Sequence, residues 1–116
     1  MRTLLAMMLL CIAPRLASAH AILMVSQPAA RAVVSAGPAH IVLRFNSRID
    51  AARSRIELRG TPTTPAASAV LKLGPSAGPD TLVADEILRP GEWVLRWQVL
   101  AVDGHITRGD LPFTVK

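Results

Sequence analysis

The chain has 116 residues, a formal net charge of +5, one Cys, nine Pro and seven Gly, and 51% of it is hydrophobic. This length holds one domain and excludes a dinucleotide-binding pair or an eightfold barrel. The apolar share excludes a disordered chain, and one Cys makes neither an internal disulfide nor a thiolate metal site.

The first segment reads as an address. Met1-Arg2-Thr3 is basic, Leu4 to Ala13 is an unbroken apolar run, and Ala17-Ser18-Ala19 is an A-x-A cleavage signal. The apolar run is too short for a bilayer, which needs roughly 20 residues, and this order is that of a secretory signal peptide. Residues 1–19 are therefore expected to be removed, leaving a single domain over residues 20–116. Arg2, Arg15 and Cys11 leave with them, so the charge falls to +3 and no thiol remains. The remaining cations are scattered, without an aromatic-interleaved stripe, and predict no nucleic-acid partner. No later segment reaches membrane length. Cleavage after Ala19 makes His20 the first residue, so its α-amine and near ring nitrogen can chelate one metal ion. A cut after Ala21 would destroy that site.

The rest of the chain alternates with period two. Ile41, Leu43 and Phe45 fall on one face. Ile56 and Leu58 alternate with Arg55, Glu57 and Arg59. Trp93, Leu95, Trp97, Val99 and Ala101 share a face opposite Arg96 and Gln98. Leu111, Phe113 and Val115 close the chain. Such runs predict half-buried strands. Gln27-Pro28, Gly37-Pro38, Gly60-Thr61-Pro62, Gly74-Pro75, Gly78-Pro79 and Pro90-Gly91 punctuate them as turns. The expectation is an all-β, Greek-key sandwich or barrel of about seven strands. Ala51 to Ile56 is expected to form one short helical turn. Gly60 to Pro79, rich in Pro, is expected to be a loop excursion with only Val70 to Leu73 strand-like. The two Trp are expected in the core.

Chemistry has few places to reside. There is no G-x-S-x-G elbow, no Ser-His-Asp order and no Gly-rich phosphate loop. The three His are His20, His40 and His105. His40 is expected to be an ordinary surface residue. Val102-Asp103-Gly104-His105 admits two readings. Were a strand to continue through it, Asp103 and His105 would project to one side and offer a carboxylate and an imidazole to one ion. Asp-Gly is equally a hairpin-turn signal, which would leave His105 at a strand edge. With His20 added, the donor set becomes one amine, two imidazoles and one carboxylate. In a tetragonal arrangement such a set favours Cu(II), whereas Zn²⁺ prefers a tetrahedron. All these donors bind deprotonated, so affinity should fall below about pH 6.

On these residues the chain resembles the copper resistance protein CopC family. The resemblance runs from His20-Ala21, Ser26 and Pro28, through Gly37-Pro38 and Ile41-Val42-Leu43-Arg44-Phe45-Asn46, to Leu88-Arg89-Pro90-Gly91-Glu92-Trp93-Val94-Leu95-Arg96-Trp97. It ends with Val102-Asp103-Gly104-His105, Gly109 and Phe113-Thr114-Val115. It implies a cupredoxin-like, immunoglobulin-like Greek-key β-sandwich exported to the periplasm. It implies one Cu(II) held by His20, through amine and ring nitrogen, and by Asp103 and His105. It implies work with a CopD-like membrane copper transport protein, in copper homeostasis, resistance or delivery. Some members carry a Met-rich Cu(I) site. Here Gly60 to Ala69 contains neither Met nor His, so no dedicated Cu(I) site is expected. Relatives often place an acid shortly after the Phe of the Ile41–Phe45 run, and this chain has Asn46-Ser47-Arg48 instead. The resulting reading is a copper carrier, not an enzyme. The alternatives are a metal-free β-sandwich interaction module and a copper-dependent oxidative enzyme built on an N-terminal His.

Overall fold

In the computed structural model, which describes residues 21–116, every alternating run becomes a strand with its apolar face inward. The elements are β1 (Leu23–Gln27), β2 (Val33–Val34), β3 (Gly37–Phe45), β4 (Ile49–Arg59), β5 (Ala69–Val70), β6 (Thr81–Leu88), β7 (Gly91–Ala101) and β8 (Ile106–Val115). They form two sheets, one in the order β1-β3-β6 and one in the order β2-β8-β7-β4-β5. All pairings are antiparallel except β2 with β8. Among consecutive strands only β4–β5 and β7–β8 stay in one sheet, so the chain repeatedly crosses between layers. This is the all-β sandwich expected from the periodicity.

The core lies between the sheets. β7 contributes Trp93, Leu95, Trp97, Val99 and Ala101, all buried, and β3 contributes Ile41, Leu43 and Phe45. Ile56, Leu58, Leu71, Leu82, Leu88, Leu111, Phe113 and Val115 fill the remaining volume. Trp97 meets Phe45 edge to face, with ring centroids 5.1 Å apart and planes at 68°. Gly109 lies opposite Trp97 in the β7–β8 register, and a Cβ there would come within 2.4 Å of the indole. The missing side chain on β8 is what gives the Trp its volume.

One local expectation needs correction. Ala51 to Ile56 is not helical but a bulged part of β4. Between Asp50 and Arg55 this strand carries five steps of chain against two, from Leu100 to Gln98, on β7. Ser54 explains the excursion. Its hydroxyl donates to the Asp50 carbonyl at 2.6 Å and accepts the Leu100 amide at 3.1 Å. A side chain thus stands in for the ladder bonds the extra residues interrupt, a device typical of Ser at irregular backbone. Of the two readings left open for Val102 to His105, the structure takes the turn. The Gly60–Pro79 stretch is largely irregular as expected. It contributes the short β5, the buried Leu71, and a Leu73 bridge to Ala84.

Candidate metal centre

The β7–β8 hairpin closes with a three-residue loop. The Gly104 amide donates to the Ala101 carbonyl at 2.9 Å, and the Ala101 amide donates to the His105 carbonyl at 2.9 Å. Gly104 has φ +90°, a left-handed value that glycine adopts without the Cβ penalty. Here the Asp-Gly pair makes the turn, and the turn itself brings the two candidate ligands together. Asp103 Oδ1 accepts the His105 amide at 3.0 Å, and Asp103 Oδ2 lies 2.9 Å from His105 Nδ1. The carboxylate thus folds back over the residue two positions on, as Asp does in tight turns. The His105 side chain is 62% exposed and that of Asp103 26%.

This geometry has chemical content. A carboxylate on Nδ1 orients the ring and selects the tautomer with its lone pair on Nε2. Such a pair could share an ion, or the carboxylate could simply hold the ring in one orientation. Among the described residues no cluster of three or more His, Cys, Asp or Glu converges. Asp103 and His105 supply two donors, and His20, the third predicted ligand, lies outside the described residues, as does the predicted signal over 1–19.

Asn46 is the residue that sequence reasoning undervalued. Its Oδ1 accepts the Ile22 amide at 2.8 Å, and its own amide donates to the Ile22 carbonyl at 2.9 Å. Two residues on, the Arg48 carbonyl accepts the Val102 amide at 3.3 Å. The link between β3 and β4 is therefore bonded both to the start of the described chain and to Val102, the first residue of the hairpin loop. Ala21 is buried in the core and fixes the chain beside Ile22. The sequence signal was an amide side chain just past the Phe that ends β3, where a polar side chain can pin a neighbouring segment.

His40 stands apart. It faces outward from β3 opposite Asp85, with Nδ1 2.7 Å from Asp85 Oδ1. It lies six residues up the strand from Asn46, roughly 20 Å away at about 3.3 Å per residue. The pair is a solvated surface contact, in keeping with the ordinary surface role expected for His40.

Similarity to known proteins fits this arrangement. Residues 23–116 match the CopC domain family. The chain is 36% identical over 106 residues to "Copper resistance protein C" of Xanthomonas campestris pv. juglandis, covering 86% of this chain and 83% of that protein. It is 34% identical over 100 residues to "Protein YobA" of Escherichia coli K12, covering 84% and 80%. Among solved structures it superposes on PcoC of Escherichia coli, described as a methionine-rich copper resistance protein, with TM-score 0.71 and 30% identity, covering 84% of this chain and 99% of that one. It superposes on CopC of Methylosinus trichosporium OB3b with TM-score 0.70 and 29% identity, covering 84% and 94%. With the sandwich, the D-x-H turn and these matches in agreement, the chain belongs to the CopC domain family.

Proposed function

We propose that the chain, trimmed to begin at His20, is a periplasmic carrier that binds one Cu(II) ion. The ligands are the α-amine and imidazole of His20 together with Asp103 and His105. The observation that carries this reading is the shared scaffold at Asn46–Arg48. One connection holds Ile22 by two hydrogen bonds and Val102, the residue ahead of Asp103, by a third. Ile22, two residues after His20 in the sequence, is thereby tied to the same end of the sandwich as the D-x-H turn. Similarity to copper resistance proteins supports copper as the ion. The donor set of nitrogens and one carboxylate supports the divalent state.

The carrier reading goes with sequestering copper in resistance or delivering it to a CopD-like membrane protein. Among the described residues no helix is long and apolar enough to cross a membrane. A Met-based Cu(I) site has no support, because Met24 is the one methionine beyond residue 19 and a thioether site needs several soft ligands.

Cu(II) titration followed by EPR tests the assignment. The chain beginning at His20 should bind one equivalent with nitrogen hyperfine structure. His105→Ala should weaken binding at least a hundredfold, and His40→Ala should leave it unchanged. One extra residue ahead of His20 converts the amine to a peptide nitrogen and should weaken binding comparably. Equal affinity with and without that residue would refute the amine chelate.

A further inference from the structure

The outer face of the five-stranded sheet carries a second candidate site, unrelated to the D-x-H turn. The strand register arranges it in rows. Arg55 lies opposite Gln98, which lies opposite Arg108, and Glu57 lies opposite Arg96, which lies opposite Asp110. Arg59 follows two residues beyond Glu57 on the same face of β4. Four guanidiniums thus surround two carboxylates, an excess of two positive charges.

The internal contacts orient these cations and leave donors to spare. Glu57 Oε2 accepts from Arg59 Nε at 3.0 Å and from a terminal nitrogen at 2.8 Å, and Arg55 Nε lies 3.6 Å from its Oε1. Arg108 Nε donates to the neutral Gln98 Oε1 at 2.7 Å, so its charge is held in place without being cancelled there. Arg96 Nε is 3.1 Å from Asp110 Oδ1. That buried N–H nevertheless finds no well-aligned hydrogen-bond acceptor among the described residues. Between Arg55, Arg59, Arg96, Gln98 and Arg108 lies a cleft of about 130 Å³, with no acidic residue in its lining. Each guanidinium has five donors, of which the contacts above use one or two. Planar forks converging on one small cleft suit the oxygens of a tetrahedral anion.

We propose that this cleft is an oxyanion site that takes one phosphate group, either a free ion or the phosphodiester of a lipid headgroup. It is independent of copper, because none of its residues belongs to the D-x-H turn.

The test follows the arginine Nε–H signals by NMR at pH 7 as inorganic phosphate replaces chloride at constant ionic strength. Saturable shifts at Arg55, Arg96 and Arg108 that fit one site are expected. Arg55→Gln/Arg108→Gln should weaken the response at least tenfold. Arg44→Gln/Lys72→Gln, which removes the same charge from elsewhere on the surface, should leave it unchanged. Near-UV circular dichroism of the two Trp confirms that each variant is folded. Co-flotation with phosphatidylglycerol/phosphatidylcholine vesicles, against phosphatidylcholine alone, separates the sources. Flotation that depends on Arg55 and Arg108 without a response to free phosphate assigns the site to a headgroup. Absence of both responses, or a phosphate or vesicle response that persists in Arg55→Gln/Arg108→Gln, would overturn the proposal. So would binding of poly-glutamate alone, which would make the face a dock for an acidic protein.

Discussion

Asn46 and Glu57 show how single side chains set local conditions in this fold. The Asn46 carbonyl oxygen is the acceptor for the Ile22 amide, two residues from the proposed ligand His20. Asn46→Ala removes that bond and keeps the backbone bond beside it, so the stability loss should be modest, about 0.5–1.5 kcal/mol in urea unfolding. Cu(II) affinity should fall more, about tenfold, because groups that orient metal ligands carry effects of that size. Asn46→Asp keeps the acceptor and should recover both. Recovery of stability without affinity would show that Asn46 serves the fold alone. Glu57 carries a different prediction. The hydrogen bonds from Arg59 hold its carboxyl below the ordinary value of 4.5, with Arg55 and Arg96 adding to the effect. A carboxyl whose native pKa lies below its unfolded pKa stabilises the fold above the unfolded value and ceases to as pH falls through the native one. The urea midpoint should therefore drop below about pH 4.5, and Glu57→Gln should flatten that part of the profile. A profile unaltered by the substitution would detach Glu57 from acid unfolding. The D-x-H pair belongs to this scale too. Asp103 and His105 were legible as partners from their spacing, but on the assumption of a strand. Spacing of two is also what an Asp needs to accept the amide beyond a turn residue, and Gly104 at φ +90° decides in favour of the turn.

Strands with one buried face were readable because burial imposes the alternation that the eye detects. In β7 every second residue from Trp93 to Ala101 is buried and the intervening ones are not. The same logic exposed the inner faces of β3 and β8. It fails where burial does not alternate. Thr81 to Ala84 at the start of β6 is buried at four consecutive positions, so no period appears. β2 is two residues long and pairs in parallel with the end of β8, a contact between distant segments that no local pattern announces. Ala51 to Ile56 looked helical because the bulged residues within it escape the face constraint, and Ala and Arg are good helix formers. The register between β7 and β8 supplies a test of the tightest packing. An Ala at Gly109 would drive its Cβ into the Trp97 ring, whose nearest atoms would lie 2.4–2.8 Å away. Trp97 in turn rests on Phe45, so the strain crosses from one sheet to the other. Gly109→Ala should cost about 1–3 kcal/mol and alter the near-UV signal of Trp. An unperturbed signal with unchanged stability would mean that the strands part more easily than this contact implies.

At the scale of the molecule, the chain segment that follows His20 and the hairpin that carries Asp103 and His105 belong to different layers. Ile22, beside the proposed ligand His20, leads into β1 of the three-stranded sheet, whereas Asp103 and His105 sit on the hairpin that joins β7 and β8 of the five-stranded sheet. An ion bound to both would cross-link the two sheets of a domain that lacks any thiol after residue 19. A ligand that binds only the folded state stabilises it by about 2.7 kcal/mol at a hundred times its dissociation constant. For a domain of this size each kcal/mol raises the melting temperature by about 4–8 °C, so Cu(II) should raise it by roughly 10–20 °C. Differential scanning calorimetry of the chain beginning at His20 measures this directly. Two controls separate a cross-link from ordinary surface binding. The His105→Ala variant removes the hairpin's imidazole and the chain with one residue ahead of His20 removes the amine, so each weakens one side of the junction and should lose most of the shift. If either kept the full shift, the ion would be bound within a single layer, and the sandwich would owe none of its copper-dependent stability to a junction between its sheets.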